Sequence, residues 1–159
     1  MLRKHILKNH AAPVPGPEEI DIAEAATVAV TSEDAEHPID NAFDGRRGPG
    51  GSRWIAGEVG EQILILAFDT PQALRHMTLD IEEQEVARQQ QVEVSVSNDG
   101  GRTYRVLRRQ EYNFSPPGTT FEREEWVVRE DEVTHLRVQV LPDKGGRPCR
   151  ASITSLVLR

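Results

Sequence analysis

The feature that most constrains this chain is alternation. Val92, Val94 and Val96 are separated by Glu93, Ser95 and Ser97, Met77, Leu79 and Ile81 by Thr78 and Asp80, and Leu136, Val138 and Val140 by Arg137 and Gln139. Successive side chains of a strand point to opposite faces, so period two sends one set into a core and the other into water, a pattern no helix satisfies. Asn98-Asp99-Gly100-Gly101 supplies turn chemistry between the first run and Tyr104 and Val106, which predicts a hairpin. Residues 63–68 read Ile-Leu-Ile-Leu-Ala-Phe without a break, which predicts a central strand covered on both faces. Further strands are predicted at residues 27–31, 126–129 and 153–158. A helical turn after His37-Pro38, through residues 39–43, packs Ala42 and Phe43 inward. About eight short strands with Pro and Gly between them predict an all-β chain, a two-sheet antiparallel sandwich or jelly roll.

The chain has 159 residues, enough for one domain with a proper core. Residues 1–18 end in Pro13-Val14-Pro15-Gly16-Pro17, whose prolines fix φ and remove donors, so they are read as an extended arm, with the domain spanning residues 19–159. The basic N-terminus is interrupted by Lys8 and His10 and no small-residue cleavage site follows, so a signal peptide is not expected. No run approaches the ~20 apolar residues of a membrane span. Cytoplasmic localisation without membrane association is the expectation. The single Cys149 cannot form an internal disulfide and is read as structural. A formal net charge of −7 works against nucleic-acid binding, which needs Lys and Arg to displace counterions from phosphates.

Taken in order, the motifs resemble the discoidin or coagulation-factor type C (F5/8 type C) family, whose galactose-binding-like jelly rolls include bacterial carbohydrate-binding modules. Val28 to Ser32, His37-Pro38 and Ala42-Phe43-Asp44-Gly45 are similar to the family's opening strand and A-x-D-G turn, and Ser52-Arg53-Trp54 to its Thr-x-Trp. Residues 63–68 and 74–79 resemble its consecutive core strands, Val94 to Gly101 with Tyr104 its S-x-D-G hairpin, and His135-Leu136-Arg137-Val138 a late strand. The resemblance implies the fold across residues 26–158. It also implies a structural calcium held by Asp44 and Ser52 with backbone oxygens, oxygen ligands that suit a hard cation. Against this, Ser155 stands where the family supplies an acid, and Arg46 and Arg47 oppose a cation; Asp44 capping a tight turn is the alternative. No other cofactor is expected.

Sugar recognition needs an apolar platform and polar groups that satisfy hydroxyls otherwise bonded to water. Arg46, Arg47, Arg53 and Trp54 lie in one predicted loop and Tyr112, Asn113 and Phe114 in another, and these seven are the candidate contacts; Trp54 is also the natural core residue of this position. No histidine pair has ligand spacing, and His76 and His135 are read as strand residues. There is no G-x-S-x-G, no phosphate loop and no Cys-His context, so catalysis is not expected. The expected role is a non-enzymatic module binding a carbohydrate or glycan-like ligand through loops at one end of the sandwich. The alternative is a protein-interaction or scaffold module of a cytoplasmic bacterial assembly.

Overall fold

A computed structural model describes residues 18–159; the Pro-rich arm, apart from Glu18, lies outside the described residues. A short helix α1 (Ile22–Ala25) leads into β1 (Ala26–Val30), and a 3-10 turn (Ile39–Phe43) precedes β2 (Trp54–Ile55). Then come β3 (Gln62–Glu82), β4 (Arg88–Ser97), β5 (Arg105–Phe114), β6 (Phe121–Leu141), β7 (Ser152–Ile153) and β8 (Ser155–Leu158). All pairings are antiparallel, and the larger sheet runs β1-β3-β6-β4-β5 with β8 also on β3, while β2 pairs with β7.

Two long strands build both layers. β3 and β6 stay paired from Gln62–Val140 to Glu82–Phe121, and the register slips three times between Ala67 and His76. Bulges add residues to one strand and sharpen its bend, so the ribbon turns a corner there. Pro71, which donates no ladder hydrogen bond, falls at that corner, where such a residue is tolerated. The first half of β3 pairs with β1 and the second with β8, while the last part of β6 carries β4 and through it β5. The result is the expected all-β sandwich.

Alternation decides what each strand buries. Leu64, Leu66, Leu74 and Leu79 are at most 1% exposed, and burying such a side chain stabilises the fold by about 1.5–3 kcal/mol. Val92, Val94 and Val96 face Leu136, Val138 and Val140 in register and all six are buried. The unbroken run at residues 63–68 departs from expectation: Leu64, Leu66 and Phe68 are buried, whereas Ile63, Ile65 and Ala67 are only half-buried. Its outer face borders Arg137 and Gln139 on β6 instead of a second apolar layer. The turn after Pro38 forms as read, with Ala42 buried and Phe43 packed against the core.

The hairpin turn is held by side chains as well as by its glycines. Gly100 and Gly101 have φ of 78° and 84°, a region that residues with a Cβ adopt at a cost. Asp99 accepts from the Thr103 hydroxyl at 2.5 Å and its amide at 2.9 Å, and bonds Ser97 Oγ at 2.7 Å. These bonds favour the ionised form and hold the Asp99 carboxyl well below the usual range.

Candidate ligand-binding cleft

Where β3 passes into β4, four chain segments enclose a cleft of about 590 Å³. The segment after β1 gives Asp34 and His37, the β2 region Arg53, Ile55 and Val59, the β3–β4 connection residues 82–86 with Arg88, and the approach to β7 residues 148–150 with Ser152. Main-chain bonds lock the walls together. Asp34 N–H donates to Ile55 at 2.8 Å, Ile55 N–H to His37 at 3.2 Å, Ala56 N–H to Ala151 at 2.9 Å and Gly60 N–H to Cys149 at 3.2 Å. Gly57 is required for this approach: a Cβ there would lie 2.7 Å from the Glu33 carbonyl oxygen, and its N–H donates to Ser32 Oγ at 3.0 Å.

The floor is a buried polar network around Arg88. Its side chain is 1% exposed, and a charge so buried is costly unless paired and hydrogen-bonded. Its Nε donates to Glu83 at 2.7 Å, Nη1 to the Pro142 carbonyl at 3.0 Å and to Gln90, and Nη2 to Ser152 Oγ at 2.8 Å. Gln90 Nε2 donates to the Ser152 carbonyl at 3.0 Å, closing the ring of partners. The Phe114 ring lies 5.6 Å from the guanidinium, packed against it from the core.

The cleft carboxylates are largely occupied from within the protein. Asp34 Oδ2 lies 2.7 Å from His37 Nδ1 and accepts from Glu36 N–H at 3.2 Å; chiefly through His37, its pKa falls below the usual value. Glu82 accepts from Gly50 N–H at 3.0 Å and from Gln84, and Glu83 from Arg88 and Glu85 N–H. Burial pushes the Cys149 thiol up, which keeps it protonated at neutral pH. Among the described residues no cluster of three His, Cys, Asp or Glu is arranged to hold a metal ion.

Of the seven contact candidates from the sequence, only Arg53 lines this cleft. Three require correction. Trp54 is fully buried, its indole N–H donating to the Ser32 carbonyl at 3.1 Å. Tyr112 and Phe114 are 2% and 3% exposed, because β5 extends through both, opposite Gln90 and Arg88, and its inward positions carry these rings into the core. They offer a ligand no surface. Asn113, between them, is exposed on the other face opposite Gln89. Arg46 is exposed, and Arg47 donates to Glu19 at 2.6 Å; neither borders the cleft.

The proposed metal ligands serve the loop itself. Asp44 accepts from Arg46 N–H at 2.9 Å through one oxygen and from the Ser52 hydroxyl through the other. Ser155 is buried on β8 opposite Asp80. Both oxygens of the Asp44 carboxylate are thus engaged within the loop.

His37, Glu83, Arg88, Arg150 and Ser152 were not foreseen. His37-Pro38 carried a signal only in its position within the opening motif.

The chain matches no protein-family model, and no curated protein matches its sequence. Solved structures do match. A family 32 carbohydrate-binding module of a Clostridium perfringens family 31 glycoside hydrolase superposes with a TM-score of 0.64 at 15% identity, covering 89% of this chain and 94% of that one. The family 32 module of C. perfringens NanJ, solved with galactose, gives 0.59 at 15% identity over 89% and 97%. An F5/8 type C domain from Bacteroides fragilis gives 0.60 at 15% identity over 91% and 97%. At such identities the likeness is one of fold, and the fold is the discoidin-like, galactose-binding-like jelly roll that the order of motifs implied.

Proposed function

We propose, from the premise that this chain folds as the jelly roll shared with carbohydrate-binding modules, that it binds a carbohydrate in the cleft beside β3 and β4 and performs no covalent chemistry. The observation that carries this reading is the composition of the lining. Ile55, Val59, Val86 and Pro148 form an apolar wall, while His37, Arg53 and Arg150 present hydrogen-bonding groups. A sugar ring has the same two characters, and its hydroxyls lose bonds to water unless the site replaces them. Among the lining residues there is no Phe, Tyr or Trp, so the platform is aliphatic, with Val59 58% exposed.

Affinity electrophoresis through gels containing soluble polysaccharides tests the proposal. A polysaccharide that retards the native chain is expected to release Val86→Asp and His37→Ala while still retarding Asn113→Ala. Retardation by none of a broad panel, or equal retardation of all three variants, refutes the assignment of the cleft.

A second reading, a protein-interaction module, has one observation in its favour. Among the described residues β5 is paired on one side only, and Val106 on β5 and Val127 on β6 are 51% and 71% exposed. Unpaired edges with apolar side chains are sites of strand addition. On this reading Val106→Lys weakens a protein complex and leaves polysaccharide binding intact.

A further inference from the structure

The first half of β6 is an edge that the fold leaves open. It pairs with β3 on one side, and β4 joins β6 only from His135 onward; among the described residues no strand pairs with the other side of residues 121–130. Exposure alternates along it. Trp126 and Val128 are buried while Glu125, Val127 and Arg129 share the outer face, and the alternation runs through Arg129 although the β3 ladder slips register after Val127. Val127 is 71% exposed, more than any other large apolar side chain described. Strand edges that must stay unpaired are commonly guarded by charge or proline. Here an apolar residue stands midway between Glu125 and Arg129, and among the described residues neither of these makes a hydrogen bond or an ion-pair contact.

We propose that this edge pairs antiparallel with the same edge of a second copy, about a two-fold axis through Val127. The pairing joins β8, β3 and β6 of each copy into one continuous sheet. A two-fold axis perpendicular to a sheet pairs residues of the same face, so the residue on the axis meets itself and its neighbours meet in reverse order. With Val127 on the axis, each Glu125 lies opposite an Arg129, and two ion pairs flank an apolar contact. On the inner face Trp126 lies opposite Val128, and Glu124 opposite Glu130, whose charge Arg105 already offsets through bonds of 2.9 and 2.6 Å. Neighbouring registers fail, because like charges directly opposite are destabilising. Centred on Glu125 or Arg129, identical charges meet on the axis; centred on Trp126, Arg123 meets Arg129, and on Val128, Glu125 meets Asp131. The β5 edge offers no such match, since Arg105, Arg109 and Glu111 are held by Glu130, Glu93 and Lys144. This self-association goes beyond carbohydrate binding and does not depend on it.

Sedimentation velocity of the full chain, from micromolar to millimolar concentration, is the test. A reversible monomer–dimer equilibrium is expected, because so short a pairing lies at the weak end of protein interfaces. Val127→Lys sets two ammonium groups together on the axis and should raise the dimer's dissociation constant about tenfold or more. Glu125→Arg and Arg129→Glu should each weaken the dimer, and a chain carrying both should regain it, since exchanging the two charges preserves their match across the axis. That rescue also separates loss of pairing from misfolding of a single variant. Val106→Lys, on the β5 edge, should leave the equilibrium unchanged. A chain that stays monomeric at every concentration, or a dimer that Val127→Lys leaves intact, overturns the proposal. So does a dimer that the double exchange fails to restore.

Discussion

Asp80 on β3 and Arg123 on β6 face each other across the ladder and share two hydrogen bonds, 2.7 Å from Nε to Oδ1 and 2.8 Å from Nη2 to Oδ2. The same carboxylate accepts from Gly48 N–H at 3.1 Å, and Glu82, two residues on, from Gly50 N–H at 3.0 Å. One face of β3 thus fastens the glycine-rich loop that ends in Arg53. Asp80 is 1% exposed while the Arg123 side chain is 43% exposed, so the two partners are not equivalent.

Removing the arginine leaves a buried carboxylate with fewer partners. Arg123→Ala is expected to destabilise the fold by about 2–3 kcal/mol, below the usual cost of breaking a fully buried pair because Arg123 is partly solvated. Urea unfolding measures this, and a change within error would show that the pair contributes little.

Tyr112 carries a buried hydroxyl that has no hydrogen-bond partner among the described residues. Burial, followed by the charges of Glu124, Glu122 and Asp80, drives its pKa far above the ordinary value, so it stays neutral. An unpaired buried hydroxyl forfeits its hydration, so Tyr112→Phe should stabilise the protein by about 1 kcal/mol. Equal or lower stability in the phenylalanine variant would show that the hydroxyl has a partner in solution.

The hairpin turn predicts a pH dependence. Asp99 has its pKa lowered first by the Thr103 hydroxyl, then by the Thr103 amide and Ser97. A carboxylate with a depressed native value contributes stability in full above its unfolded value of about 3.9 and loses it as pH falls through the native one. The melting temperature of Asp99→Ala should therefore lie a few degrees below that of the native chain at pH 7. That gap should hold to about pH 4 and narrow in more acidic buffer. A gap that widens on acidification contradicts the assignment.

Calcium is expected to leave thermal stability unchanged. A ligand at a hundred times its Kd stabilises the state it binds by about 2.7 kcal/mol, a rise of about 5–10 °C for a domain of this size. Melting curves in excess calcium and in chelator should coincide, because Asp44 is committed to Arg46 N–H and Ser52. A calcium-dependent rise would mean that the loop rearranges to release it.

Much of the architecture is legible in local pattern. The Val92–Val96 alternation and the Asn98-Asp99-Gly100-Gly101 turn define a hairpin from neighbouring residues, although its ladder shifts register between Val94 and Ser95, and the helical turn after Pro38 is equally local. Tyr112, Asn113 and Phe114 show where the pattern misleads. Their alternation continues β5, but Ser115-Pro116-Pro117-Gly118 beside them reads as a loop, and the inward positions opposite them hold Arg88 and Gln90. Polar residues at core positions disguise a strand end unless their partners are known, and those partners are Pro142 and Ser152, distant in sequence.

The sequence by itself determined that this chain is a β-sandwich, where its first hairpin turns, and which valines and leucines face inward. Those follow from side-chain direction along a strand and from turn chemistry, both set by neighbours in the chain. Only the tertiary structure decided the cleft. His37, Arg53, Arg88 and Arg150 meet because β2 pairs with β7 and because β3 and β6 bend together at their bulges. Which groups pair there depends on carboxylates from separate strands and connections, a balance of hydrogen bonds that exists only once the layers have closed.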